Sequence, residues 1–200
     1  MCAEYGVSRS SVREALRVLA EKGLVQVRHG LGTRVRPPES WDFLDAMVLS
    51  VRRERGAMVA VIRDLLEARK MVEVEVAGLA AARARESDFA LLEASLETMR
   101  TSLDQPQRFA AADFAFHRVL LEATKNRVLV RMADPIRELL EYSLQTTDSI
   151  PHVLERALHD HTMIYRAVKR RDVAGARDAM RKHLERTERD LATLVHDEPA

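Results

Sequence analysis

A run of seventeen residues, Ala110–Asn126 (AAADFAFHRVLLEATKN), constrains this chain more than any other stretch. Phe109, Asp113, Phe116, His117, Leu120, Leu121 and Thr124 recur at three- and four-residue steps, the spacing of one helical face. Asp113 and His117 are therefore stacked one turn apart inside an otherwise apolar stripe. A carboxylate in such a stripe needs a cation, a hydrogen-bond donor or a cavity, because burying it unpaired is costly. A carboxylate and an imidazole on successive turns form half of a metal site.

The rest of the chain supplies helices around that stretch. Glycine and proline number only 7 and 6 in 200 residues and aromatics make up 4%, which favours a helical core of Leu, Val, Ala and Met. The expected fold is mainly α: a partial winged helix-turn-helix followed by an antiparallel all-α bundle. A single cysteine, Cys2, excludes an internal disulfide framework. No apolar run is long enough to cross a bilayer and no signal-peptide pattern opens the chain, so a cytoplasmic location is expected.

The small net charge of +1 hides an asymmetry. Residues 1–36 carry seven Lys/Arg against three Glu, and the remainder 25 against 28 acidic residues. A basic head on a mildly acidic body suits a polyanion-binding module joined to something else. In the head, Ser8 is an N-cap for a helix over about 9–22, and Gly23 ends it. Val12, Ala15, Leu16 and Leu19 make its apolar face, with Arg9, Ser10 and Arg13 at its exposed N-terminal end. Leu24–Arg28 and Thr33–Arg36 then alternate as strands around a His29-Gly30-Leu31-Gly32 turn. A helix with a basic N-terminal end followed by a two-stranded wing is the layout of a winged helix-turn-helix, which reads DNA through its grooves. The alternative is an amphipathic helix and hairpin with ordinary surface arginines.

Pro37-Pro38-Glu39-Ser40 reads as a stiff linker, with Ser40 capping a connecting helix closed by Gly56. This divides the chain into 1–36, a linker and connecting helix over 37–57, and an all-helical domain over 58–196. Within the last, helices are expected at about 58–85, 87–103, 106–124, 127–147 (kinked or split at Pro135), 150–170 and 172–195. Asn126, Pro151 and Asp172 serve as start signals.

Helical periodicity completes the half-site. His161 shares an inward face with Leu154, Ala157, Leu158, Ile164, Tyr165 and Val168, and His183 one with Ala176, Ala179, Met180, Leu184, Thr187 and Leu191. His159 belongs to an opposite face, and His29, His152 and His196 lie outside the core pattern. Asp113, His117, His161 and His183 thus point inward from three helices, a donor set suited to zinc, nickel or another late divalent ion. A metal-free network of imidazoles around one carboxylate is the alternative. Arg69 and Glu73 also occupy apolar positions, on the stripe Ile62, Leu65, Leu66, Arg69, Val72, Glu73, Val76. They suit either an internal i, i+4 pair or an anchor for an anionic ligand.

The segment GVSRSSVREALRVLAEKGLVQVRHGLGTRV resembles the recognition helix and wing of the GntR family of bacterial transcription regulators. In that family one helix and most of a second come before this point, so the motif is expected to be truncated here. The resemblance implies DNA contacts from Arg9, Ser10 and Arg13 on the helix and from His29 and Gly30 on the wing. The segments RDLLEARKMVEVEVAGLAAARA, ADFAFHRVLLEATKN and HTMIYRAV, with a later A-x-x-x-M-x-x-H, resemble the FadR C-terminal ligand domain, FCD. Metal-binding FCD domains have Asp-x-x-x-His and two later histidines, matching Asp113, His117, His161 and His183. The arginine matching Arg69 faces the effector cavity there.

The expected function is a homodimeric, metabolite-responsive regulator that binds a two-fold symmetric operator, a divalent metal and a small hydroxy- or sugar-acid carboxylate. Two alternatives stand beside it: a sensor domain without DNA binding, and a metal-dependent enzyme with Glu73 as its only candidate base. No nucleophile motif or glycine-rich phosphate loop supports the enzyme.

Overall fold

The computed structural model describes residues 6–28, 30–42, 45, 47–48, 58–132 and 152–196. The chain divides into two compact units, Met1–Met58 and Val59–Ala200. In the first, helix α1 covers Arg9–Glu21. The Ser8 hydroxyl accepts the Ser11 amide at 3.1 Å and caps its start. Gly23 ends it with φ +75°, and a Cβ there would sit 2.4 Å from the Ser40 carbonyl oxygen, so only glycine suits the position. No described residue of α1 is buried, and Ala15 of its expected apolar face is exposed.

Strands β1 (Val25–Arg28) and β2 (Gly32–Val35) pair antiparallel, with Val25 opposite Val35 and Arg28 opposite Gly32. Strand β1 starts one residue later than expected, and β2 lies one residue earlier because Gly32 already pairs with Arg28. After the wing, Pro38–Ser40 is a single 3-10 turn. Ser40 does not cap the connecting helix: Asp45 Oδ1 accepts the amides of Met47 and Val48, at 3.0 and 3.2 Å. Asp45 also pairs with Lys22, fastening the end of α1 to this segment. The rest of the expected connecting helix, through Gly56, lies outside the described residues.

The second unit is built from α2 (Met58–Arg83, all but its first residue), α3 (Glu86–Arg100), α4 (Pro106–Ala123), α5 (Val153–Lys169) and α6 (Val173–His196). Their bounds fall within three residues of those read from periodicity. The expected helix over 127–147 is described only for 127–132, where Asn126 Oδ1 accepts the Val128 amide at 3.0 Å; Pro135 and Pro151 lie outside the described residues. Pro106 opens α4, where its missing N–H costs nothing. The Asp172 carboxylate accepts the Gly175 amide at 2.8 Å and starts α6.

Helix α3 packs along α4 and α5 along α6, with α3 also touching α5. Ala77 and Ala80 of α2, Leu92 and Met99 of α3, Phe116 and Leu120 of α4, Ile164 and Val168 of α5, and Met180 and Leu184 of α6 form one core. Alanines on α2 let its neighbours approach closely, while each other helix contributes a large side chain at helical spacing. Among the described residues, no helix is long and apolar enough to cross a membrane.

Candidate metal and effector site

Helices α4, α5 and α6 bring four of the sequence-derived residues to one point. One ligand atom from each of Asp113, His117, His161 and His183 lies within 4.8 Å of all the others. His161 is fully buried, and the other three are at most 9% exposed. Asp113 and His117 lie one turn apart on α4, as the stripe required.

The hydrogen-bond chemistry of this cluster is specific. His161 Nδ1 lies 2.7 Å from the Ala157 carbonyl oxygen, which can only accept, so that nitrogen carries a proton. His117 Nδ1 lies 2.8 Å from Glu73 Oε2 and donates to it. In a neutral ring both Nε2 atoms then present bare lone pairs. Yet these two atoms lie 3.1 Å apart, and Asp113 Oδ1 is 2.8 Å from His161 Nε2. Three acceptors converge on a point that demands positive charge. In the protein alone, a proton on His161 supplies it. Burial opposes that charge, but the Asp113 carboxylate, with the Ala157 carbonyl and Asp160 beside it, raises the His161 pKa above its ordinary value. Burial and the adjacent His161 push His183 down to about 4, despite Asp160 nearby. Asp113 is held well below the usual carboxylate range because the histidines outweigh its desolvation.

Around this centre lies a second tier. Arg69, 4% exposed, donates from Nε to Glu73 Oε1 at 2.6 Å and from Nη2 to Oε2 at 3.3 Å. Arg69 and His117 together hold Glu73 ionised against its burial. The i, i+4 pair read from the sequence is therefore present, and it ends on His117. Glu73, the candidate base of the enzyme alternative, is already engaged by both partners. On the other side, Asp160 of α5 accepts Arg186 Nη1 of α6 at 2.9 Å.

A cavity of about 70 Å³ opens beside the cluster, lined among others by Arg69, Asp113, Asp160, His183 and Arg186. Asp160 and Arg186 are the site residues that the sequence reading passed over. Asp160 falls three residues after Ala157 and four before Ile164, so the stripe that placed His161 inward also included it. Arg186 follows His183 by three residues, on the same side of α6.

The DNA-binding candidates belong to the other unit. Arg9, Ser10 and Arg13 are exposed along the first turns of α1, and Gly30 is exposed in the wing turn with φ +76°. His29 lies outside the described residues.

Comparison with known proteins finds two family models along the chain. The FCD domain matches residues 64–186, and the family described as bacterial regulatory proteins, gntR family, matches residues 1–35. The regulator LutR of Bacillus subtilis is 32% identical over 196 residues, covering 94% of this chain and 86% of its own. The galactonate operon transcriptional repressor of Escherichia coli is 29% identical over 180 residues, covering 90% and 79%. Among solved structures, Streptococcus agalactiae GntR superposes with a TM-score of 0.58 at 23% identity, covering 94% of this chain and 85% of that one, a likeness of fold.

Proposed function

The chain belongs to the GntR family of bacterial transcription regulators and carries an FCD domain, and we propose accordingly that its helical unit senses a small carboxylate through a bound divalent metal. The observation that carries this reading is the meeting of two imidazole Nε2 atoms and a carboxylate oxygen, 3.1 and 2.8 Å apart, in a buried site. The donor set fits a metal. Tetrahedral ligand atoms each about 2.0–2.1 Å from a common ion lie about 3.3–3.4 Å apart; here two spacings are 2.8 and 3.1 Å and none exceeds 4.8 Å. The outer nitrogens of His117 and His161 are already bonded to Glu73 and Ala157, the second tier that metal-binding histidines require. Asp113, His117, His161 and His183 would hold the ion, with zinc or nickel the best match to three imidazoles and a carboxylate.

When bound, the ion would offer open coordination positions to carboxylate and hydroxyl oxygens. The chain's own contribution is charge and shape. Asp113 and the histidines fix where an oxygen-rich ligand binds, and Arg69 lends positive charge to the same cavity. The cavity, about 70 Å³, suits a small ligand better than a long-chain one. The galactonate operon repressor, a relative whose name refers to a sugar acid, is in keeping with that ligand class.

In the other unit, Arg9, Ser10, Arg13, His29 and Gly30 are the proposed DNA contacts, arginine being suited to guanine edges and phosphates. A homodimer on a two-fold symmetric operator follows, because one small head has little affinity alone. The test is metal content by elemental analysis with calorimetric titration of zinc and nickel. Wild-type protein binds one ion per chain, and Asp113→Ala and His183→Ala lose both the ion and carboxylate affinity. Undiminished carboxylate affinity after complete demetallation would sink the chelation model.

A further inference from the structure

The three imidazoles are not held alike. His117 and His161 have their outer nitrogens hydrogen-bonded, at 2.8 and 2.7 Å. For His183 the facing group is Asp160 Oδ2, and it stands 3.8 Å from Nδ1, too far for a hydrogen bond. That oxygen is buried and has no hydrogen-bond partner among the described residues. A desolvated carboxylate oxygen without a donor is costly, and it faces the ring nitrogen that needs an acceptor.

The other oxygen of Asp160 is engaged by Arg186 at 2.9 Å. The Arg186 side chain is 35% exposed and lines the cavity beside His183. Arg69 already spends two donors on Glu73, whereas Arg186 uses one of its five among the described residues. The pair also borders a second groove, with Arg170 and Lys182, so the guanidinium has room to move.

We propose that Asp160 is a positioning residue for His183, and that Arg186 restrains it until an anion in the cavity draws the guanidinium away. The inference rests on the metal-binding reading. With Arg186 displaced, the carboxylate closes on His183 Nδ1, fixes the tautomer and makes Nε2 a stronger donor to a divalent ion. Anion and ion then bind with positive coupling, even where the anion does not touch the ion.

The test titrates full-length protein with zinc alone, against a competing chromophoric chelator, using variants at both ends of the ion pair. Asp160→Asn weakens zinc binding by about 10–100-fold, and Asp160→Glu recovers part of the loss. Arg186→Gln does the opposite and tightens zinc binding several-fold, and in the Asp160→Asn background that gain disappears. A pair with only a structural role would weaken binding from both ends. Unchanged affinity in Asp160→Asn, or equal or weaker affinity in Arg186→Gln, overturns the proposal. If Asp160→Asn does not fold, the sign of the Arg186→Gln change decides alone. Wild-type protein that takes up no zinc would instead overturn the metal reading itself, so the two failures are distinguishable.

Discussion

A proton and a divalent ion compete for the same few cubic ångströms between Asp113, His117 and His161. Because the Asp113 carboxylate raises the His161 pKa above its ordinary value, the metal-free protein holds a proton there to higher pH than a free imidazole would. Metal entry must expel it. Zinc affinity is therefore expected to rise with pH, and calorimetry in two buffers of different ionisation enthalpy should report proton release. Affinity independent of pH between 6 and 8 would contradict this. Arg69 permits a second expectation. Its guanidinium is almost fully enclosed and faces a Glu73 side chain only 12% exposed. Arg69→Met leaves Glu73 with only His117 to balance its charge, and the loss should be about 3–5 kcal/mol in chemical denaturation. That cost applies with or without a ligand, which separates the pairing role of Arg69 from its role in the cavity.

Helix ends carry the local commitments of this fold. At the start of α3, Asp88 accepts the Arg85 amide at 2.8 Å and pairs with Lys125 at 2.8 Å, tying the α3 entry to the segment after α4. Burial works against its charge, but Lys125 and the Arg85 amide outweigh it and lower the Asp88 pKa. The stability this charge contributes is present above the ordinary carboxylate range and lost as pH falls through the lowered value. Asp88→Asn should cost about 1–3 kcal/mol at pH 7, with the gap to wild type narrowing below about pH 4. In the head, Gly23→Ala should destabilise α1 and the wing by more than about 1 kcal/mol, measured as earlier loss of their amide-exchange protection. Ends and periods of this kind were readable in advance: Ser8, Gly23, Asn126 and Asp172 are short-range signals, and the inward placement of His117, His161 and His183 follows from helical phase. Asp160 was missed because a charged residue next to a histidine looks like the solvated side of a helix, although its spacing from Ala157 and Ile164 keeps it on the inward stripe. The Ser40 cap failed for a different reason. Two competing oxygens lie within five residues, and the Lys22 partner that favours Asp45 comes from a distant part of the chain.

Among the described residues, the helical unit draws its core from α2 to α6 but its candidate ligands from α4, α5 and α6. An ion that binds only the folded state raises stability by about 2.7 kcal/mol when its free concentration is a hundred times its dissociation constant. A melting temperature that climbs with added zinc, and falls back on chelation, is the expected signature in a thermal scan. The donor atoms span the sequence from Asp113 to His183, so an occupied site would knot α4, α5 and α6 into one hoop. Peeling the C-terminal helix from its neighbours would first require opening that hoop. Fraying and protease nicking near the end of the chain would thus become a reporter of whether the centre is filled.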